Sequence, residues 1–233
     1  PPRSTPLYSS AASDVYKRQV SAGSALVTIS DAAFASSSAT ITATSLSAIG
    51  GKTSGAVSSS NAIKISGSST ELTAALVSGT KTVSAGSALV EINDAAFAAS
   101  SATIAATTLS GIGGKTSGTV TLKNKVKLSG SQSAVATALI GTSSVVASQN
   151  LTEAVVTSSA NVTQGDAIAK VSNIKGTFSG GITDSLSNLA SGGNADAKLN
   201  TIVGDDSSVN ITISNGAFAA SSATLTAADM SAV

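Results

Sequence analysis

A stretch that opens at Val20 comes back at Val83. The first copy begins VSAGSALVTISDAAFASSSATITATSLSAIGGKTSG and the second VSAGSALVEINDAAFAASSATIAATTLSGIGGKTSG. The period is 63 residues, with 38 identities over the 63 aligned positions. Val20 matches Val83, Phe34 matches Phe97, and Gly50-Gly51-Lys52-Thr53 matches Gly113-Gly114-Lys115-Thr116. A degraded unit comes next over 146–207, with LTEAVV and VSNIKGTFSGG as its remnants, and a fresh copy starts near Ser208 and runs to Val233. The expected organisation is a leader at 1–19, units at 20–82 and 83–145, a degenerate unit at 146–207 and a truncated unit at 208–233, both ends being cut edges of a longer array. A period in the tens of residues points to a solenoid or to a string of domains. These units lack the bulk for independent cores and have no Pro-rich or charged linkers between them. The solenoid, in which each coil covers its neighbour, is therefore the expected architecture.

Within a unit the pattern reads strand, helix, strand, helix. Val27 and Ile29 alternate with Thr28 and Ser30, a strand signal. Asp31 or Asp94 ends that strand and is expected to cap the next segment of its own unit. Leu46 and Ile49 before Gly50-Gly51 suggest a last helical turn closed by a glycine cap. Val120, Leu122, Asn124, Val126 and Leu128 share one face of a strand whose other face carries Thr121, Lys123, Lys125 and Lys127. The first copy agrees, with Val57, Ser59, Asn61, Ile63 and Ile65 inward, and Asn61 and Asn124 are expected to ladder at a bend. Ser68-Ser69-Thr70-Glu71 matches a capping box; the second copy keeps Ser131 but has Ala134 in place of the acid. Two strand-and-helix half-units of about thirty residues suggest a parallel α/β solenoid with short strands and short helices. A pure parallel β-solenoid is the alternative, because Ser and Thr weaken every helix.

Composition narrows the chemistry. The chain has no His, Cys or Trp, and aromatics are 3% of it. The commonest catalytic base and the soft metal ligands are missing, and disulfides are impossible. A net charge of +1 without basic–aromatic clusters gives no nucleic-acid footprint. No run of about 18 apolar residues occurs, so no membrane span is expected.

Residues 1–19, PPRSTPLYSSAASDVYKRQ, hold every Pro, Arg and Tyr of the chain. They resemble a translated sequencing adaptor, above all in SSAASDVYKRQ, and lack the plan of a signal peptide.

The motif candidates all have bland counterparts. GGKTSG occurs twice, but a phosphate-binding loop needs a glycine where Leu46 and Leu109 stand; a helix-ending turn is expected. Gly192-Gly193-Asn194-Ala195-Asp196 departs from a calcium-binding nonapeptide at Ala195 and occurs once, so an exposed turn is expected, as for Asp205-Asp206. Lys123, Lys125 and Lys127 read as a solvated strand face, with an acidic polymer as the competing reading. Asn150, Asn161 and Asn210 begin N-x-Thr sequons, common by chance in a Thr-rich chain. Thr40, Thr42 and Thr44 suggest an ordered threonine array, which Thr103, Ala105 and Thr107 do not keep. A Ser–Lys pair is possible in principle, but serine is too abundant for proximity in sequence to mean anything. No catalytic, cofactor or metal residue is therefore expected, and the chain is read as not an enzyme.

ISDAAFASSSATITATSLSAIGGKTSG and INDAAFAASSATIAATTLSGIGGKTSG resemble repeats of very large surface or secreted proteins of marine bacteria, cyanobacteria among them. The resemblance covers roughly 20–145 and 208–233. It implies an extracellular or cell-surface, adhesin-like array whose partners are neighbouring repeats of the same chain, together with a cell surface or extracellular polymer. The leading expectation is a structural spacer. A glycan- or surface-binding module and a fragment of a polysaccharide-processing solenoid enzyme are the alternatives.

Overall fold

The computed structural model describes residues 23–78, 83–95, 102–141, 150–216 and 226–233. The leader at 1–19, Phe97 and part of the fourth copy lie outside these residues.

The fold is mixed α/β, built from very short strands. The first copy contains β1 (Val27–Ile29), α1 (Phe34–Ser37), β2 (Thr40–Thr42), α2 (Ala43–Gly50), β3 (Val57–Ser59), β4 (Lys64–Gly67) and α3 (Ser69–Leu72), which widens into a π-helical turn at Thr73–Val77. The second contains β5 (Val83–Ser84), β6 (Leu89–Ile92), β7 (Thr103–Ala105), α4 (Ala106–Gly113), β8 (Val120–Leu122), β9 (Val126–Gly130) and α5 (Gln132–Ala136), again extended by a π-helical turn at Thr137–Gly141. Then come β10 (Leu151–Val156), α6 (Val162–Ala169), β11 (Lys175–Thr177), β12 (Ile182–Asp184), α7 (Leu186–Leu189), β13 (Ala190–Ser191), β14 (Asn194–Ala195), α8 (Ala197–Asp205), β15 (Ile211–Ile213) and α9 (Ala227–Ala232). Helices stand between the strands, so the all-β alternative falls. Side-chain caps at the N-termini of α2, α3, α5, α6, α8 and α9 offset the weak propensity of Ser and Thr there.

Nine of the ten strand pairings among the described residues are parallel. The sheets run β1-β3-β5, β2-β4-β6-β8, β7-β9-β10-β11 and β12-β15, and β13-β14 is an antiparallel hairpin. Partners are close in sequence: Val27 pairs with Val57, a spacing of 30, and Ala154 with Gly176, a spacing of 22. Each ladder partner is thus one short strand–helix rung further along the chain, the crossover that parallel pairing requires.

The long strand expected over Val120–Leu128 is two strands. β8 joins β6, whereas β9 lies between β7 and β10 in a different sheet. The chain turns a corner at Lys123–Lys125, and the side-chain alternation carries on across it, which hides the break from a period-2 pattern. The Gly50-Gly51 helix end is also differently made. Gly51 has φ −66 and ψ −16, so the helix closes in a right-handed turn rather than through a left-handed glycine.

One core cluster runs through the sheets. Ile63, Ile65, Leu72, Ile92, Leu109, Ile112, Leu128, Leu151, Ile168, Ile182 and Leu189 are almost wholly enclosed, with Phe178 the largest member. Burying one such side chain contributes about 1.5–3 kcal/mol. Small residues set the distance between rungs. A Cβ on Gly67 would stand 2.7 Å from that of Ala43, and one on Gly130 2.9 Å from that of Ala106. The Ala/Gly-rich alphabet therefore has a packing reason.

Candidate functional site

The densest polar chemistry lies in the seams between successive rungs. The first seam is built on the repeated GGKT turn. Thr53 is buried, and its hydroxyl donates to the carbonyls of Ala25 (2.5 Å) and Gly23 (3.2 Å) while accepting from the N–H of Gly55 (2.9 Å). Thr116 repeats this with Ala88 (2.5 Å), Gly86 (3.3 Å) and the N–H of Gly118 (2.9 Å). The turn binds the preceding rung of its own chain, and Lys52 and Lys115 are exposed. The phosphate-loop resemblance ends there.

The second seam joins strand ends to helix starts. Asp94 accepts from the backbone N–H of Ser69 (2.8 Å) and from its hydroxyl (3.1 Å). It therefore caps the helix of the preceding rung; the segment it was expected to cap in its own unit lies outside the described residues, and in the first copy the helix at Phe34 starts at Ala33 without a side-chain cap from Asp31. The same cross-rung relation recurs along the chain, with Ser, Asp and Asn as acceptors. Ser158 Oγ accepts from Gln132 N–H (2.9 Å), Asp184 from Val162 N–H (3.1 Å) and Asn215 Oδ1 from Leu186 N–H (2.7 Å). These helices receive a partner for a first-turn donor that has none within the helix. The expected local caps are present too. Ser68 and Glu71 form a capping box, and Ser131 accepts from Ala134 N–H without the reciprocal acid. Hydrogen bonds from the Ser68 backbone, the Ser68 hydroxyl and Thr44 hold the Glu71 carboxyl below its ordinary pKa.

The third seam lies at the corners. Asn61 and Asn124 do sit at bends, but they do not stack on one another: each donates to a backbone carbonyl of the preceding rung, Asp31 and Asp94 respectively (2.7 Å). Asn150, which also begins a sequon, does the same to Leu122 (2.7 Å).

Charges join rungs as well. Lys64 pairs with Glu91 at 2.7 Å and lies over the Phe34 ring, 5.3 Å from its centroid. Lys127, placed on the solvated face by its spacing, bridges to Glu153. That hydrogen bond from Lys127, assisted by Thr177 and opposed by burial, lowers the Glu153 pKa. Lys123 and Lys125 are exposed at the corner, so the three lysines do not form one row. At β11, the last strand of its sheet, Gly176 and Phe178 donate their N–H groups to Asp205 (2.8 Å) and Asp206 (2.7 Å). Two carboxylates thus stand where a further strand would supply carbonyls. Asp205-Asp206 is therefore an edge closure rather than a simple exposed turn, and Asp206 is buried. Burial raises the Asp206 pKa, but the bonds from Phe178 and Ser208 outweigh it and leave the group lowered.

The other candidates are likewise engaged locally. Gly192 and Gly193 turn the β13–β14 hairpin with φ +60 and +78, and Asp196 accepts from Lys198 N–H at the start of α8. Among the described residues no group of three or more His, Cys, Asp or Glu could hold a metal ion. Thr42 caps α2, and Thr44 donates to Glu71 (3.0 Å), so the Thr40–Thr42–Thr44 run is not a uniform outward array. Asn161 heads α6 in a second capping box with Gln164; the spacing N-x-x-Q carried that signal. Asn210 is exposed.

Open clefts accompany the seams, one of about 380 Å³ at Thr44, Ser47, Ala48, Glu71 and Ala74 among them. One of about 460 Å³ is lined by Ser69, Thr70, Thr73, Ala74, Ser78, Thr103, Ile104, Ala105 and Thr108, and the hydroxyls of Ser69 and Thr73 are turned to Asp94 and the Ser69 carbonyl. One of about 260 Å³ lies at Asp31, Thr40 and Ile41. Among the described residues no helix is long and apolar enough to cross a membrane. Compared with family models, curated proteins and solved structures, the chain gives no match in any of the three.

Proposed function

We propose that the chain is a structural spacer from an extracellular, adhesin-like array, folded as a parallel α/β solenoid whose principal partners are its own neighbouring repeats. The observation that supports this reading is the parallel register, which returns every 22 to 30 residues from Val27 to Ile213. The buried hydroxyls, strand-end acids and corner asparagines direct their hydrogen bonds to that register. Such an array gains stability by nearest-neighbour stacking and reach by adding rungs.

Small-angle scattering on chains carrying two, four and six copies of Val20–Thr82 tests it. A spacer lengthens by a constant increment per copy, on the order of 4.8 Å for each rung. A maximum dimension that grows as the cube root of mass would overturn the solenoid, and with it the spacer.

A second reading, a glycan-binding module, is favoured by the open cleft of Ser, Thr, Ala and Ile side chains beside Thr73 and Thr103. Titration with soluble polysaccharides decides between them: saturable binding lost on Thr73→Val would favour the module, and its absence the spacer.

A further inference from the structure

The first rung shows a face that its counterpart in the second copy has covered. Val27 and Ile29 are half-buried, whereas Val90 and Ile92 are enclosed at 0% and 1% exposure. Leu26 is 79% exposed, and its counterpart Leu89 is half-buried. The second copy is covered by the rung before it: β4 pairs with β6, Leu89 N–H donates to Ile63 O, and Asn93 N–H to Gly67 O, both at 2.9 Å. The equivalent donors of the first copy, Leu26 and Ser30, have no such partner among the described residues. Their neighbour Val27 donates the other way, to Ala56 (2.9 Å).

The side chains agree with the backbone. Asp94 caps the preceding helix at Ser69, and Asn215, at the same place in the fourth copy, caps α7 at Leu186. Asp31 occupies this position in the first copy. Its carboxylate is exposed and meets no donor among the described residues, although its carbonyl holds Asn61. Ile41 lines the open cleft beside Asp31, whereas its counterpart Ile104 is 2% exposed.

We infer that the Leu26–Asp31 face is a docking surface for one more repeat unit of the same type. The incoming unit would present a strand like Lys64–Gly67 to the Leu26 and Ser30 amides, and a helix start like Ser69 to the Asp31 carboxylate. Thr28 stands where Glu91 pairs with Lys64, so this junction closes without the ion pair, as the junction at Thr212 and Asn215 does. The inference rests on the stacked-rung reading of the proposed function.

The test adds a second copy of Val20–Thr82 directly ahead of Val20 and tracks amide hydrogen exchange in the original and extended chains. Docking slows exchange at Leu26 and Ser30 by at least about tenfold in the extended chain. It also protects the amide that corresponds to Ser69 in the added copy. Asp31→Ala abolishes that second protection and leaves the original chain unchanged, while Asp31→Asn retains part of it. If Leu26 and Ser30 still exchange fast while Lys64–Gly67 and Leu89–Ile92 are protected, the docking inference is overturned and the stacked rungs stand. Unprotected amides in those inner strands as well would overturn both.

Discussion

Asp94 and Ser69 lie 25 residues apart in sequence and share two hydrogen bonds, one to the backbone N–H and one to the hydroxyl of Ser69. One acid thus fixes both the start of a helix and the stacking of the next rung upon it. Asp94→Ala is expected to cost about 1–2 kcal/mol, the value of a good N-cap. Asp94→Asn should recover much of this, since Asn215 does the same work at Leu186. Urea unfolding of the two variants checks the order.

Thr53 and Thr116 are buried, and each serves two carbonyls and one amide. Replacing either by Val keeps the shape and takes this partner from the Ala25 or Ala88 carbonyl and the Gly55 or Gly118 amide, while Gly23 and Gly86 keep the N–H groups of Ser54 and Ser117. Each substitution is expected to lower stability by about 1–3 kcal/mol. Thr→Ser at the same positions should be far milder, which separates the hydroxyl from the methyl in thermal denaturation.

The glycine after each clamp has no room for a side chain. A Cβ on Gly55 would lie 2.3 Å from the carbonyl oxygen of Ala25, and one on Gly118 2.3 Å from that of Ala88. Both obstacles are backbone atoms. Gly118→Ala is therefore expected to destabilise by about 1–3 kcal/mol, whereas Gly204→Ala, with open space around it, should fold normally. Circular dichroism melts compare them.

The acids predict a loss of stability at low pH. Glu153, Asp184 and Asp206 all have lowered pKa values in the folded chain. A depressed folded pKa means that the ionised form favours the fold. Its contribution is complete above the unfolded values, 4.5 for Glu and 3.8 for Asp, and is lost as pH falls through the lower folded values. The denaturation midpoint should be flat from pH 7 to about 5 and drop below about 4.5. Asp206→Asn should flatten part of that drop; an unchanged acid profile would contradict the assignment.

Much of the short-range structure was legible in the sequence. The Ser68–Glu71 box, the helix ending at Gly50 and the strand character of Val27–Ile29 are local patterns, and each is found where its residues predict it. The partners of the polar residues were not legible. Asp94, Asn124 and Thr116 act on residues 25 to 30 positions away, a distance at which a single sequence shows residue type but not pairing. The corner at Lys123–Lys125 was hidden for a different reason: Val120, Leu122, Val126 and Leu128 all face inward on both sides of it, so the alternation passes through the bend unbroken. Lys127 was misjudged on the same account, because the acid that meets it lies in the next rung.

The ladders between rungs are short, from two to five residue pairs each. Short parallel ladders have a mechanical consequence when the chain is pulled from its ends. Load falls on one ladder at a time, so the molecule should yield in successive small slips rather than in a single rupture. Each slip frees the 22 to 30 residues between partners, about 70–110 Å of extended chain. A sawtooth with that step in optical-tweezer traces would mark the segment as an extensible tether, one that dissipates a tug before the anchored ends feel it.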